Sequence, residues 1–349
     1  MNTFFLSFRD PLFSIIIFFF IIFAITFFSY WWGRYKSKED SKHLDKFLQK
    51  FRTLPSKNEL HVLISGGELS EKSWLLLAKS YIQNGDFEKA IEIYNELLKI
   101  STPSNKKETL FLLGKVYFKA GFLERSKQVF LEILKTAPRT IQALNYLLLV
   151  YEHMRDYKSA LEVLEPLKEL GNDITNDEAY LKALELLNSA ELSQMDKADK
   201  LLEIYHNTHH LSYMIFEYLF RVNPKLAWGN FDSSKSELLS DIFWNLNSKD
   251  LDLDIITQNS YLCELYSARG DIDIAKRSSI FEFDILIHLK NSGVNANLSF
   301  EYVCQECKNT YPFAFHRCSS CHSIESIELE WSIIKDRYRD FSTENNSFQ

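Results

Sequence analysis

The residues best suited to chemistry are Cys304-Gln305-Glu306-Cys307 and Cys318-Ser319-Ser320-Cys321. They hold four of the chain's five cysteines as two C-x2-C turns with ten residues between them. A C-x2-C turn aims two sulfurs at one point, and two facing turns make a tetrahedral four-thiolate cage of the kind that Zn2+ and Fe2+/3+ accept. Four protein ligands leave no open coordination position for a hydrolytic water. The spacing therefore predicts one structural zinc or iron ion, with redox use open to an iron form. His316 and His322 flank the ligands and are expected to be solvated, because the cysteine set is complete without them. A pair of disulfides is the competing use of the same cysteines, and the compartment decides between the two.

Short strands must position the knuckles. Phe300, Tyr302 and Val303 precede the first pair at strand-like spacing, and Ile324, Ile327, Leu329 and Trp331 follow the second. A ribbon over 298–335 is too small for a full core of its own, so metal binding would supply its folding free energy. Residues 291–297 form a short polar linker. The ribbon is expected to dock on the preceding helices near Tyr266 and Ala275 and to cover their apolar end.

The N-terminal part predicts the compartment. Residues 1–10 form a short leading segment, and residues 11–32 carry no charge. A helix of that length reaches about 33 Å, enough for a bilayer core. Tyr30, Trp31 and Trp32 close it as an aromatic belt. A cleaved signal peptide would have a shorter apolar core, a basic start and small residues at its end, so a retained anchor is expected. Arg34, Lys36, Lys38, Lys42 and Lys46 follow the stretch, and Arg9 alone precedes it. The positive-inside rule then puts the N-terminus outside and the C-terminal part in the cytoplasm, where thiols stay reduced. Residues 33–69 read as a cytoplasmic junction with one amphipathic piece around Leu44, Phe47, Leu48 and Phe51, and 336–349 as a polar tail.

The middle of the chain repeats. Trp74, Leu77, Ala78, Tyr81, Gly85, Ala90, Tyr94 and Leu97 recur as Leu110, Leu113, Gly114, Tyr117, Gly121, Ser126, Phe130 and Ile133. A third set follows as Leu144, Leu147, Leu148, Tyr151, Ala160, Leu164 and Leu167. This resembles the tetratricopeptide pattern of paired helices. Small residues let the two helices approach, and Gly85-Asp86, Gly121-Phe122 and Arg155-Asp156 mark the turns. Fainter repeats around 179–205 and clearer ones around Leu262, Cys263, Tyr266, Gly270, Asp271 and Ala275 extend the expected α-solenoid over 70–290. Helices are expected at 211–221 and 238–246 between them. Cys263 is expected in the core. Lys79, Lys115, Asn145 and Glu152 are candidate peptide-facing residues on the concave side. His206, His209 and His210 are expected at a helix C-terminus rather than around a metal.

The expected class is therefore mainly α: an N-terminal transmembrane helix, a tetratricopeptide solenoid and a small C-terminal metal ribbon. A net charge of −7 and a pI near 5.8 argue against a nucleic-acid partner. Phosphate-loop, dinucleotide, zincin and serine-hydrolase motifs are absent from the sequence, so no enzyme is expected.

The order of parts resembles the lipopolysaccharide assembly protein B family. The likeness rests on Trp31-Trp32-Gly33-Arg34, the repeats and C-x2-C-x10-C-x2-C. Lys308 and His322 stand where rubredoxin-type knuckles carry glycine, Ser319 stands in place of proline after the third cysteine, and Phe315 alone represents the aromatic before the second knuckle. The resemblance implies a rubredoxin-like metal domain and a non-enzymatic bacterial inner-membrane adaptor. Its partners would be lipopolysaccharide synthesis and export proteins and a membrane-bound AAA protease that degrades the deacetylase of lipid A synthesis. A general membrane-tethered peptide-binding module and an iron redox protein are the other readings.

Overall fold

Helical hairpins follow from the residue types that begin, turn and pack them. The structure, a computed structural model, describes residues 20–23, 27, 57–66 and 69–335. It divides into two units, Met1–Met154 and Arg155–Gln349. The expected membrane stretch at 11–32 lies outside the described residues except for residues 20–23 and 27. These five are helical, with side chains 42–70% exposed. No helix among the described residues is long and apolar enough to cross a membrane. The leading segment 1–10, the amphipathic piece around Phe47 and the tail 336–349 also lie outside the described residues.

In the first unit α1 spans Lys57–Ser65, α2 Glu71–Gln83, α3 Phe87–Ile100, α4 Pro103–Lys119, α5 Leu123–Thr136 and α6 Ile141–His153. Ser70 caps α2 by accepting the N–H of Ser73 at 3.2 Å, and Pro103 opens α4, where a missing N–H costs nothing. Gly85 and Gly121 turn the chain at φ 82° and 78°. Asp86 then donates to the Tyr81 carbonyl at 2.8 Å and Phe122 to that of Tyr117 at 2.9 Å, closing each helix end in the same way. The repeat positions form the core: Trp74, Leu77, Ala78, Ala90, Tyr94 and Leu97 are all buried. Part of the expected junction joins it, since Leu60 and Ile64 of α1 are buried in the same cluster.

The small positions act as predicted. A Cβ on Gly114 would stand 2.8 Å from Cε1 and Cζ of Phe130, and the Ser126 hydroxyl donates to the Gly114 carbonyl at 2.9 Å. Glycine and serine thus set how closely α4 and α5 approach.

In the second unit α7 spans Tyr157–Glu169, α8 Thr175–Asn188, α9 Gln194–Thr208, α10 Ser212–Val222, α11 Pro224–Asn230, α12 Ser240–Asn245, α13 Leu253–Gln258, α14 Ser260–Arg269 and α15 Phe281–Asn291. Arg155 takes a left-handed φ of 59° just before α7. The helices expected at 211–221 and 238–246 correspond to α10 and, in shorter form, to α12. His209 is the left-handed C-cap of α9, which fits the expected helix end. Cys263 is a core residue whose Sγ donates to the Ile256 carbonyl at 3.1 Å.

One expectation fails. Ala275 was expected on the second helix of a hairpin, but it lies in a helix-free stretch between α14 and α15. Ile272 and Ile274 alternate with aspartates at a period of two, which gives a helix no apolar stripe. Side chains of α14 hold the stretch instead: Glu264 accepts from Ser278 and Ser279, and Ser267 accepts the N–H of Ala275 at 3.0 Å.

β1 Ala296–Cys304, β2 Thr310–Tyr311 and β3 Ile327–Lys335 make an antiparallel sheet of order β2-β1-β3. Its long ladder runs from Ala296 opposite Lys335 to Cys304 opposite Ile327. Leu298 and Ile327 join the buried cluster formed by α8 to α15, so the ribbon shares the helices' core. The expected docking of ribbon on helices is therefore present.

Replacing Gly114 with Val should lower the stability of the first unit by about 1–3 kcal/mol, because Phe130 is fully buried and cannot retreat freely. Hydrogen exchange across 110–133 reads this out. Unchanged protection would mean that the α4–α5 approach is not limiting.

Candidate metal centre

Two backbone turns of the same design bring the cysteines together. Lys308 donates to the Cys304 carbonyl at 2.8 Å and His322 to the Cys318 carbonyl at 2.9 Å. Cys304 donates to the Asn309 carbonyl at 3.0 Å and Cys318 to that of Ser323 at 2.9 Å. Lys308 and His322, the residues in the glycine positions, adopt left-handed φ values of 58° and 65°. The turn geometry thus survives without glycine, at a cost on the order of 1–2 kcal/mol per residue.

The four Sγ atoms of Cys304, Cys307, Cys318 and Cys321 lie within 4.8 Å of one another. Cys304 and Cys321 are 3.6 Å apart, as are Cys307 and Cys318, and all four are free thiols. A metal ion can be held by such a set. Burial pushes the Cys304 thiol up, but hydrogen bonds from Ser323, Ser326 and the N–H groups of Cys307 and Glu306 bring it down to about 5. Cys318 is also lowered: N–H groups of Cys321 and Ser320 and the Tyr311 hydroxyl outweigh its burial. Cys307 accepts the Asn309 N–H, yet desolvation and its three sulfur neighbours raise it to about 12. A site that ionises some thiols readily and resists the last is suited to a cation, whose charge would remove that resistance. Sequence spacing did not point to the hydroxyls. Ser326 stands 3.2 Å and Ser323 3.5 Å from Cys304 Sγ, and Tyr311 Oη stands 3.2 Å from Cys318 Sγ.

The loop that carries the second knuckle is also the link to the helices. Leu211, at the N-cap of α10, offers no side-chain acceptor. Glu325 supplies it, with its carboxylate accepting from Tyr213 N at 2.9 Å and Met214 N at 3.0 Å. Burial nonetheless raises Glu325 to about 7, against the opposing pull of His316 and the two N–H groups. Arg317 donates to Asp177 of α8 at 3.0 Å, stacks 4.9 Å over Tyr180 and donates to the His322 carbonyl at 2.9 Å. Tyr302 and Tyr213 both donate to Asp241, at 2.8 and 2.5 Å, and Trp244 donates to Asn297 at 2.6 Å.

These contacts correct the reading of the histidines. His316 is not simply solvated: its Nε2 lies 3.1 Å from Glu217 on α10, and its side chain is 27% exposed. His322 is half-buried and serves the second turn through its backbone. The docking also falls on α8, α10 and α12, well beyond Tyr266: Arg317 and Glu325 of the loop between the strands reach α8 and α10, and Asn297 and Tyr302 of β1 reach α12.

Of the peptide-facing candidates in the first unit, Lys79 and Lys115 line one groove of about 590 Å3 between α2 and α4. Asn145 is exposed and Glu152 half-buried on α6, and neither lines that groove.

Residues 71–102, which cover α2 and α3, match the tetratricopeptide repeat family model. Curated protein sequences yield no match. Among solved structures, the chain is similar to MamA 41-end from Desulfovibrio magneticus RS-1, at 19% identity over 49% of this chain and 95% of that one, with a TM-score of 0.37. It is also similar to a tetratricopeptide repeat protein from Parabacteroides merdae ATCC 43184, at 16% identity over 59% and 75% of the two chains, with a TM-score of 0.33.

Cys304→Ser with Cys307→Ser should abolish stoichiometric zinc or iron, read by elemental analysis. The same change should speed hydrogen exchange at Tyr213 and Met214, since the second-knuckle loop positions Glu325. Protection near Trp74, in the other unit, should not change. Glu325→Ala should keep the metal and still loosen the start of α10, at a cost of about 1–3 kcal/mol. Unaltered exchange at Tyr213 in both variants would separate metal site and helix.

Proposed function

We propose that this protein is a non-enzymatic scaffold of the bacterial inner membrane that regulates lipopolysaccharide assembly. Residues 11–32 serve as its anchor with the N-terminus outside, and the repeats and cysteine ribbon work in the cytoplasm. It promotes proteolysis of the lipid A deacetylase by a membrane-bound AAA protease and coordinates biosynthetic and export proteins. The observation that carries the scaffold part is the ribbon's place in the helical core. Leu298 and Ile327 are buried among the helices and Glu325 caps α10, so the four thiols organise a protein surface. The lipopolysaccharide part rests on the resemblance in the order of aromatic-Gly-Arg run, repeats and paired knuckles.

In this reading Cys304, Cys307, Cys318 and Cys321 hold one zinc or iron ion in a rubredoxin-like domain. When bound, the ion supplies charge neutralisation and a cross-link rather than catalysis. Ser323, Ser326 and Tyr311 orient and stabilise the ligating sulfurs from outside the cage. A general membrane-tethered interaction module is the second reading, favoured by the family match at 71–102 alone.

Depletion of the protein should raise the deacetylase level and disturb lipopolysaccharide content, both read by immunoblot and gel. Unchanged levels of both would leave the general module. Alkaline phosphatase fused after Gln349 should be inactive, because the basic flank lies C-terminal to the anchor. An active fusion would overturn the cytoplasmic placement. Zinc in the isolated protein would exclude the iron redox reading.

A further inference from the structure

The groove between α2 and α4 in the first unit carries a charge pattern that the chain as a whole does not. Lys72 and Lys79 come from α2 and Lys115 and Lys119 from α4, and no aspartate or glutamate lines it. The chain's net charge is −7, so this face opposes the overall sign. Three other lysines of the same unit are paired: Lys89 with Asp86 at 3.1 Å, Lys99 with Glu96 at 2.6 Å and Lys127 with Glu124 at 2.7 Å. None of the four groove lysines has an ion pair among the described residues. Lys115 lies over the rings of Phe111 and Tyr146 at 5.7 and 5.3 Å, which holds its ammonium in place. Like charges one turn apart, as at Lys115 and Lys119, disfavour the helix they sit on until an anion faces them.

The floor between the lysines is apolar. Leu75, Leu76, Leu112 and Val116 line it with Tyr94 of α3, and Leu76 is 51% exposed. We propose that this groove binds an internal acidic segment of a partner protein, seating a bulky apolar side chain on Leu76 and Leu112 with carboxylates facing the four lysines. The proposal rests on the scaffold reading and names the chemistry of the segment the scaffold captures. The lysines are distributed along both walls: Lys72 and Lys79 are two turns apart, about 10.5 Å along α2. A single chain-terminal carboxylate would meet one of them and leave the others unpaired. A run of acidic residues interrupted by leucine or phenylalanine meets all four.

The test uses the full chain in nonionic detergent and a fluorescein-labelled, end-capped peptide that alternates glutamate pairs with leucine. Fluorescence anisotropy should show saturable binding that weakens in high salt. Serine in place of the leucines should weaken it at least about tenfold, as should Lys72→Gln, Lys79→Gln, Lys115→Gln and Lys119→Gln together. The single variant Leu76→Ser provides a check that leaves every charge in place, and it should weaken the peptide while retaining the native circular dichroism. Equal binding of a lysine-for-glutamate peptide, undiminished binding by the quadruple variant, or no saturable binding would each overturn the proposal. Preference for an oligonucleotide or for anionic vesicles over the peptide would overturn it too. Peptide binding of this kind with an unchanged deacetylase level on depletion would support the groove and remove the lipopolysaccharide role. A depletion phenotype rescued fully by the quadruple variant would do the reverse.

Discussion

Four thiols within 4.8 Å of one another cannot all carry charge without a cation among them. Much of the second unit is arranged around that constraint. Hydroxyls and N–H groups lower Cys304 and Cys318, while Cys307 stays high beside its sulfur neighbours. The same turns that aim the sulfurs also fix where the loop between the strands runs. That loop delivers Arg317 to α8 and Glu325 to α10. A helix whose N-cap is leucine therefore has its first N–H groups satisfied by a residue more than a hundred positions away.

The first unit obeys a different rule, set by side-chain size. Gly114 beneath Phe130 and Ser126 bonded to the Gly114 carbonyl bring α4 against α5, and Ala78 and Ala90 are the corresponding small buried residues of α2 and α3. With the small residues turned inward, the outer positions of α2 and α4 are free of packing duty. They carry the lysines and Leu76 that line the groove.

Glycine's absence from the knuckles shows how a local rule yields to its surroundings. Lys308 and His322 adopt the left-handed backbone that glycine would take more cheaply. Each is held by a helix-like turn bond to the first cysteine of its pair, and strand pairing flanks the first knuckle. In the opposite direction, Gly270 and Asp271 read as a repeat turn before a second helix, yet the chain continues without one until Phe281. The likeness to a repeat there lay in α14 alone, and the period-two isoleucines after it were the signal against a helix.

What the sequence determined by itself is local and periodic: the helix pairs at 71–136, their small and aromatic positions, the strands around the cysteines and the four cysteines that cluster. Periodicity and ligand spacing are properties of neighbours along the chain, so they are legible without coordinates. Only the tertiary structure decided the partners of His316, Arg317 and Glu325, and the hydroxyls of Ser326 and Tyr311 beside the sulfurs. Those contacts join residues between 5 and 140 positions apart, and no spacing rule encodes them. Burial then turned ordinary residues into caps and clamps, because a polar group removed from water must find its partner wherever the fold supplies one.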